Sequence, residues 1–201
     1  MAIEFDTTKE YNLEDERALL RPLKLEDYEN LFPFSMHEPE LWKYSLITAA
    51  GETNLANYID IALEARTARK EYPFIVFDKL KNKYAGSTRF YDINAAFKTL
   101  QLGYTWYGKE FQGTGLNKHC KFLLLSFAFE DLGMERVEFR ADNNNDKSVA
   151  AMKSIGCTVE GVLRNHMPTR YSGVRRDSII LSILKDEWVG EVKERLKQKL
   201  K

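Results

Sequence analysis

The chain has 201 residues, 44% of them hydrophobic, which is enough for one sizeable domain with a real core. Thirty Lys and Arg balance thirty Asp and Glu, and this zero net charge excludes the global positive field that draws a chain onto nucleic acid or an anionic membrane. Two cysteines, Cys120 and Cys157, exclude a disulfide framework and a multi-cysteine zinc site, and His37, His119 and His166 stand too far apart to suggest a metal, so none is expected.

The start, Met1-Ala2-Ile3-Glu4-Phe5-Asp6, lacks the basic and then apolar regions of a signal peptide, and no apolar run has the length of a membrane span. A cytoplasmic protein is expected, with neither a membrane nor nucleic acid as partner.

Arg17 to Leu23 reads as a first strand ending at Pro22, which cannot donate to a ladder. Leu25, Tyr28, Leu31 and Phe32 form one stripe of a short helix with acidic residues in its first turn, and Pro33 is expected to close it. Phe34 to Ala50 has no long period and predicts short helical turns and loop. Its aromatic residues, Trp42 among them, either line a substrate pocket or cap the core. Leu55, Tyr58, Ile59, Ala62 and Leu63 predict an amphipathic helix to about Lys70 with Thr53 as N-cap.

Three strands follow, Pro73–Asp78, Tyr84–Tyr91 and Thr99–Trp106, joined by polar turns into an antiparallel meander. The last leads into Phe111-Gln112-Gly113-Thr114-Gly115-Leu116-Asn117, which opens a long apolar helix running to about Leu132. Two glycines at a strand-to-helix junction let an anion approach free N–H groups at the positive end of a helix dipole, so this stretch is a candidate phosphate cradle. An ordinary tight turn is the alternative.

Arg136–Ala141 alternates as a strand, and a short helix from about Lys147 to Ile155 stops at Gly156. Cys157–Leu163 and Val174–Leu184 predict two antiparallel strands with a loop over Arg164–Gly173. From Asp186 the charges alternate in sign, the pattern of a solvated terminal helix. Both cysteines read as buried thiols.

Gln112-Gly113-Thr114-Gly115-Leu116-Asn117 is similar to the Gln/Arg-x-x-Gly-x-Gly/Ala loop of the GNAT superfamily of acetyl-CoA-dependent N-acetyltransferases. Asn117 departs from it by standing where Gly or Ala is preferred. Asn145-Asp146-Lys147-Ser148, running to Gly156-Cys157, resembles the family's second block. Glu160 to His166, with Arg176-Asp177 and Ser182 to Trp188, resembles the branch containing ribosomal-protein N-terminal acetyltransferases. The resemblance covers Arg17 to Trp188. It implies an α/β (α+β) fold, a single GNAT-like domain over residues 1–201 with a core at 17–188. The sheet would be mixed and mostly antiparallel, of about six or seven strands, with helices on both faces.

The resemblance further implies an N-acetyltransferase that moves acetyl from acetyl-CoA to a primary amine, a protein N-terminus or a small molecule, by direct attack in a ternary complex. Backbone N–H groups of Gln112, Gly113, Thr114, Gly115, Leu116 and Asn117 would hold the pyrophosphate. The strand edge at Tyr104, Thr105 and Trp106 would pair with the pantetheine arm, and Asn145 would touch that arm or merely form an Asx turn. Many members protonate the leaving sulfur with a tyrosine at the position of Met152, which has no proton to give. Ser148, one turn earlier on the same face, is the expected catalytic residue, unless it is a helix cap. Glu38, Trp42, Glu138 and His166 are candidates on the acceptor side, and no general base stands out. His119 is expected to pack or face solvent. Family members often form homodimers. The alternative function is a non-catalytic acyl-CoA-binding sensor or subunit.

Overall fold

A computed structural model describes residues 5–200, so the leader Met1–Glu4 and the terminal Lys201 lie outside the described residues. Eight strands form one sheet: β1 (Leu13–Glu14), β2 (Ala18–Pro22), β3 (Tyr72–Asp78), β4 (Lys83–Asn94), β5 (Thr99–Tyr107), β6 (Arg136–Asp142), β7 (Thr158–Pro168) and β8 (Arg175–Leu184). Their order is β1-β2-β3-β4-β5-β6-β8-β7. Every pairing is antiparallel except β5 with β6, which is parallel. The sheet is thus mixed and mostly antiparallel, as expected. Its one unforeseen strand, β1, has two residues and no period to read.

Helices cover both faces. Successive side chains of β4 point to opposite sides. Arg89 lies over Tyr58 of α2 (Glu52–Thr67), while Phe90 stacks on Phe127 at the end of α3 (Leu116–Ser126). The face of α2 also carries α1 (Tyr28–His37). The α3 helix continues as a π-turn over Phe127–Asp131, matching the expected end near Leu132. Helix α4 (Asp146–Ser154) follows β6, and the tail comprises α5 (Lys185–Glu187), a π-turn and α6 (Lys193–Gln198). No helix among the described residues is long and apolar enough to cross a membrane.

Four local expectations are corrected. Pro33 lies inside α1 rather than ending it. A proline removes one N–H bond, and burial of Leu31, Phe34 and Ser35, with Ser35 Oγ donating to the Ala49 carbonyl at 2.6 Å, carries the helix past it. The N-cap of α2 is Gly51, with Glu52 already helical, so Thr53 caps nothing. The first half of the loop expected over Arg164–Gly173 is strand. β7 reaches Pro168, and register breaks at Val159/Gly161 and Leu163/Met167 hide its alternation. The tail is not simply solvated: Trp188, Val192 and Leu196 are buried, and α6 packs on α3.

Candidate active site

The glycine stretch has an open, left-handed backbone. Gly113 has φ +73° and Gly115 φ +90°, left-handed values that a side chain resists, and a Cβ built at either position would meet nothing within 4 Å. The positions require glycine for backbone shape and leave open space above it. No backbone partner takes the N–H groups of Gly113 to Asn117 among the described residues, and the first turn of α3 has neither an acidic residue nor a side-chain cap. This is the free, positive end of a helix. Gln112 turns its side chain away from the opening, Nε2 donating to the Tyr107 carbonyl at 2.9 Å, and Thr114 Oγ1 donates to the Phe111 carbonyl at 2.8 Å.

A cation not foreseen from the sequence stands beside the loop. Arg17 Nη2 donates to Thr114 Oγ1 at 3.4 Å, and the same guanidinium makes a two-pronged pair with Asp78 at 3.0 Å. Arg17 is 97 residues upstream of Thr114, and only the pairing of β2 with β3 brings it there. Local motif reading has no signal for that.

Next to the cradle the sheet opens. β5 and β6 pair only from Thr99 opposite Arg136 to Gln101 opposite Glu138, and then part. From Gly103 onward the β6-facing edge of β5 is therefore a free strand edge, the place where an extended amide chain can add. The other edge bulges: Ser87 pairs with Trp106 and Arg89 with Gly103, so Tyr104 and Thr105 together oppose Thr88. Tyr104 adopts φ +50° there. Thr105 Oγ1 lies 2.7 Å from Thr88 Oγ1 and accepts from Lys121 Nζ at 2.9 Å. The Trp106 side chain is buried and donates to the Tyr58 hydroxyl at 3.3 Å. Only the Trp106 backbone faces the open edge of β5.

On α4, Asn145 Oδ1 accepts the Ser148 N–H at 3.2 Å. Asn145 is thus the N-cap, and the Ser148 hydroxyl is not the capping group. Met152 lies one turn further on the same face and is buried, as the apolar occupant of its position.

The acceptor-side candidates separate. Glu38 Oε2 accepts the Lys109 N–H at 2.7 Å and ties the α1 end to the turn after β5. Trp42 is 1% exposed and packs edge-on against Trp106 at 5.0 Å, so it caps the core and offers no wall to a ligand. Glu138 is held between Arg136 and Arg140, each at 3.2 Å, so its carboxylate is already engaged by two cations. His166 sits on β7, with Nδ1 buried and without a hydrogen-bond partner among the described residues. Burial, then Arg140, Arg176 and Arg175, hold its pKa below the usual value. His119 is buried, Nδ1 lying 2.7 Å from Asp15 Oδ2 and Nε2 3.1 Å from the Leu200 carbonyl, so it ties the turn after β1 to the tail. Glu16 reaches the same imidazole at 4.0 Å.

Residues 17–158 match the family described as "Acetyltransferase (GNAT) domain". The chain is 33% identical over 106 residues to "Putative ribosomal N-acetyltransferase YdaF" of Bacillus subtilis, a match spanning 53% of this chain and 56% of that relative. It is 27% identical over 180 residues to "Uncharacterized N-acetyltransferase p20" of Bacillus licheniformis, covering 87% and 97% of the two chains. Among solved structures, a GCN5-related N-acetyltransferase from Brucella melitensis superposes with TM-score 0.87 at 25% identity, over 96% of this chain and 86% of that one. The Microcin C7 self immunity acetyltransferase MccE, solved with acetyl-CoA and AMP, superposes with TM-score 0.72 at 25% identity over 85% and 93%. Because the family match takes in the cradle, the parting strands and the Asn145 helix together, the chain belongs to the GNAT family of acetyl-CoA-dependent N-acetyltransferases.

Proposed function

We propose that this chain transfers acetyl from acetyl-CoA to a primary amine, a protein N-terminus or a small molecule, by direct attack in a ternary complex. The observation that carries this reading is the free helix end at Gly113–Asn117 beside the unpaired edge of β5. The first suits a pyrophosphate and the second the amides of an extended arm. Open space over both glycines leaves room for a phosphate to approach the backbone. The residues present therefore fit coenzyme A. The bound co-substrate supplies the thioester.

In this reading Gly113 to Asn117 anchor the phosphates, Arg17 adds positive charge, and Gly103 to Trp106 align the arm. Asn145 orders the first turn of α4, and Ser148 offers its hydroxyl to the departing sulfur, because Met152 has none. The incoming ammonium loses its proton before attack. Glu138, already engaged by two arginines, is a poor acceptor for it, and a water path to solvent suits the half-open site better.

The same proposal places the protein in the cytoplasm, with a homodimer as its assembly. Two free and buried thiols suit a reducing compartment. A second reading, a sensor that binds acyl-CoA without turning it over, is favoured by Met152 alone. The test is incubation of pure protein with acetyl-CoA and a panel of peptides, polyamines and other amines while free thiol is followed. Thiol release that requires an acceptor supports the transferase. Saturable binding of coenzyme A without release across the panel supports the sensor.

A further inference from the structure

The face of the sheet where β5 and β6 part carries more positive charge than it uses. Arg176 on β8 is 8% exposed, yet no carboxylate pairs with it among the described residues. Its guanidinium has Nε on Ser178 Oγ at 3.1 Å, Nη1 on the Tyr44 carbonyl at 3.4 Å and Nη2 on Met167 Sδ at 3.9 Å, all neutral groups. Burying a cation among neutral hydrogen-bond partners is costly, and Arg176 is correspondingly held below its usual pKa by burial, which Asp142 and Tyr91 oppose only in part and to which Arg140 adds repulsion.

Two further groups point the same way. Arg140 on β6 gives Nη2 to Glu138, and its Nε is buried with no partner. His166 on β7 presents the unpartnered Nδ1 already described, within electrostatic reach of Arg140, Arg176 and Arg175. Three strands thus bring two guanidinium groups and an imidazole together, with the ring of Tyr91, itself close to Arg140, at the edge. The carboxylates nearby are committed. Glu138 answers Arg136 and Arg140, and Asp142 Oδ1 takes both the backbone and side-chain N–H groups of Asn144 at 2.9 and 3.1 Å. Asp142 also lies close enough to Arg176 to favour its charge, but makes no salt bridge with it among the described residues.

We propose that Arg176, Arg140 and His166 form an anion-recognition subsite, and that the acceptor amine carries a carboxylate or phosphate that docks there. This rests on the acetyl-transfer reading and narrows its substrate class. A guanidinium pair suits a planar or tetrahedral oxyanion, and a bound anion would give Arg176 and the unpartnered Arg140 Nε the charged acceptor that their present contacts do not. Polyamines and aminoglycosides, being cations, are disfavoured acceptors at such a site.

The test compares matched acceptors with the full chain and acetyl-CoA: amidated Ala-Glu against Ala-Gln for carboxylate, and Ala-phosphoserine against Ala-Ser for phosphate. The expected result is kcat/KM higher for an anionic member than for its neutral twin by about tenfold or more. Arg176→Met should shrink that ratio towards one through KM, with coenzyme A affinity unchanged, and Arg176→Lys should restore part of it. The pair that responds identifies the anion. Equal rates within both pairs, or preference for the neutral twins, overturns the subsite while leaving the transferase intact. If no acceptor is acetylated, the transfer reading fails, and calorimetric titration with N-acetylglutamate and inorganic phosphate decides the subsite alone. Saturable binding lost in Arg176→Met keeps it, and no binding to the wild type overturns it. Should Arg176→Met fail to fold, Arg140→Met replaces it in each arm.

Discussion

The Arg89 guanidinium lies 4.2 Å from the centroid of the Tyr104 ring, and this contact clamps the one residue of β5 that holds a left-handed backbone. The same guanidinium lies 4.9 Å from the centroid of the Tyr58 ring and pairs with Glu71 Oε2 at 2.7 Å. A tyrosine at φ +50° is strained, and it persists where its surroundings over-determine it. The strain is what moves Thr105 and Trp106 into register beside the parting strands.

Arg89→Ala is therefore predicted to be severe. It removes a fully buried cation, leaves Glu71 without its partner and opens a cavity beside two rings. A loss of about 3 kcal/mol in urea unfolding is expected. A midpoint within experimental scatter of the wild type would show that the clamp contributes nothing.

The cradle can be tested against a matched control. Gly115 at φ +90° and Gly173 at φ +73° are both left-handed, and a Cβ at either meets nothing within 4 Å. Each change to Ala should cost about 1–2 kcal/mol of backbone strain. Only Gly115→Ala should also weaken coenzyme A binding, by about tenfold or more, since only there does the new methyl stand where a phosphate is expected. Equal affinity in the two variants, measured by calorimetry, would remove the phosphates from this loop.

Much of the fold was legible because its signals are local. The meander of β3 to β5, the glycine junction and the helix ending at Gly156 each follow from alternation, turn residues or spacing within a few positions. What was hidden is long-range. Arg17 reaches Thr114 only through the β2–β3 pairing, and the Arg140–Arg176 cluster exists only because β8 inserts beside β6 out of chain order. Lys121 is an intermediate case. It lies on the stripe of Leu125, Ala128 and Leu132, so helical periodicity alone would have placed this cation inside.

On α4 the structure separates two residues that the sequence leaves entangled. Asn145 caps the helix, so Asn145→Ala should cost about 1 kcal/mol of stability. Ser148→Ala removes only a hydroxyl that does not cap, and should leave stability and coenzyme A affinity near wild type. If that hydroxyl protonates the leaving sulfur, kcat falls by about 10²-fold with little change in cofactor binding. An unchanged kcat would take Ser148 out of the mechanism.

The tail yields a prediction opposite to its charged appearance. Trp188 is fully buried, lies 5.7 Å from Phe129 in a stacked pair, and donates Nε1 to Glu130 Oε1 at 2.9 Å. Trp188→Ala is expected to cost about 3–5 kcal/mol, whereas a solvated helix would lose almost nothing. Thermal unfolding monitored by far-UV dichroism separates the two.

Lys121 gives the chain a dependence on pH whose sign is fixed by burial. Its ammonium is enclosed beneath the sheet, donating to Thr105 Oγ1 at 2.9 Å and lying 5.8 Å from the Phe139 ring centroid, with no carboxylate paired to it among the described residues. Burial, only weakly opposed by the neighbouring cysteines, brings its pKa down from 10.5 to about 8. The unfolded chain therefore binds a proton that the folded chain does not between those two values. Below about pH 8 both states are charged and the folded state carries the whole penalty, and through the interval from about 8 to 10.5 that penalty is relieved as pH rises. Cys120 and Cys157, pushed from 9.0 up to about 12 by burial, lose protons in this window only in the unfolded chain and so oppose the trend, but equally in wild type and variant, which leaves the difference between the two proteins to the lysine. Lys121→Met keeps the apolar stem and removes the charge. It should stabilise the protein at pH 7 by on the order of 3 kcal/mol, a gain that shrinks towards zero by about pH 10.5. Urea midpoints for both proteins at pH 7, 9 and 10.5 test this, and a gain that is flat or grows with pH would mean that the lysine is not charged at a cost in the folded chain.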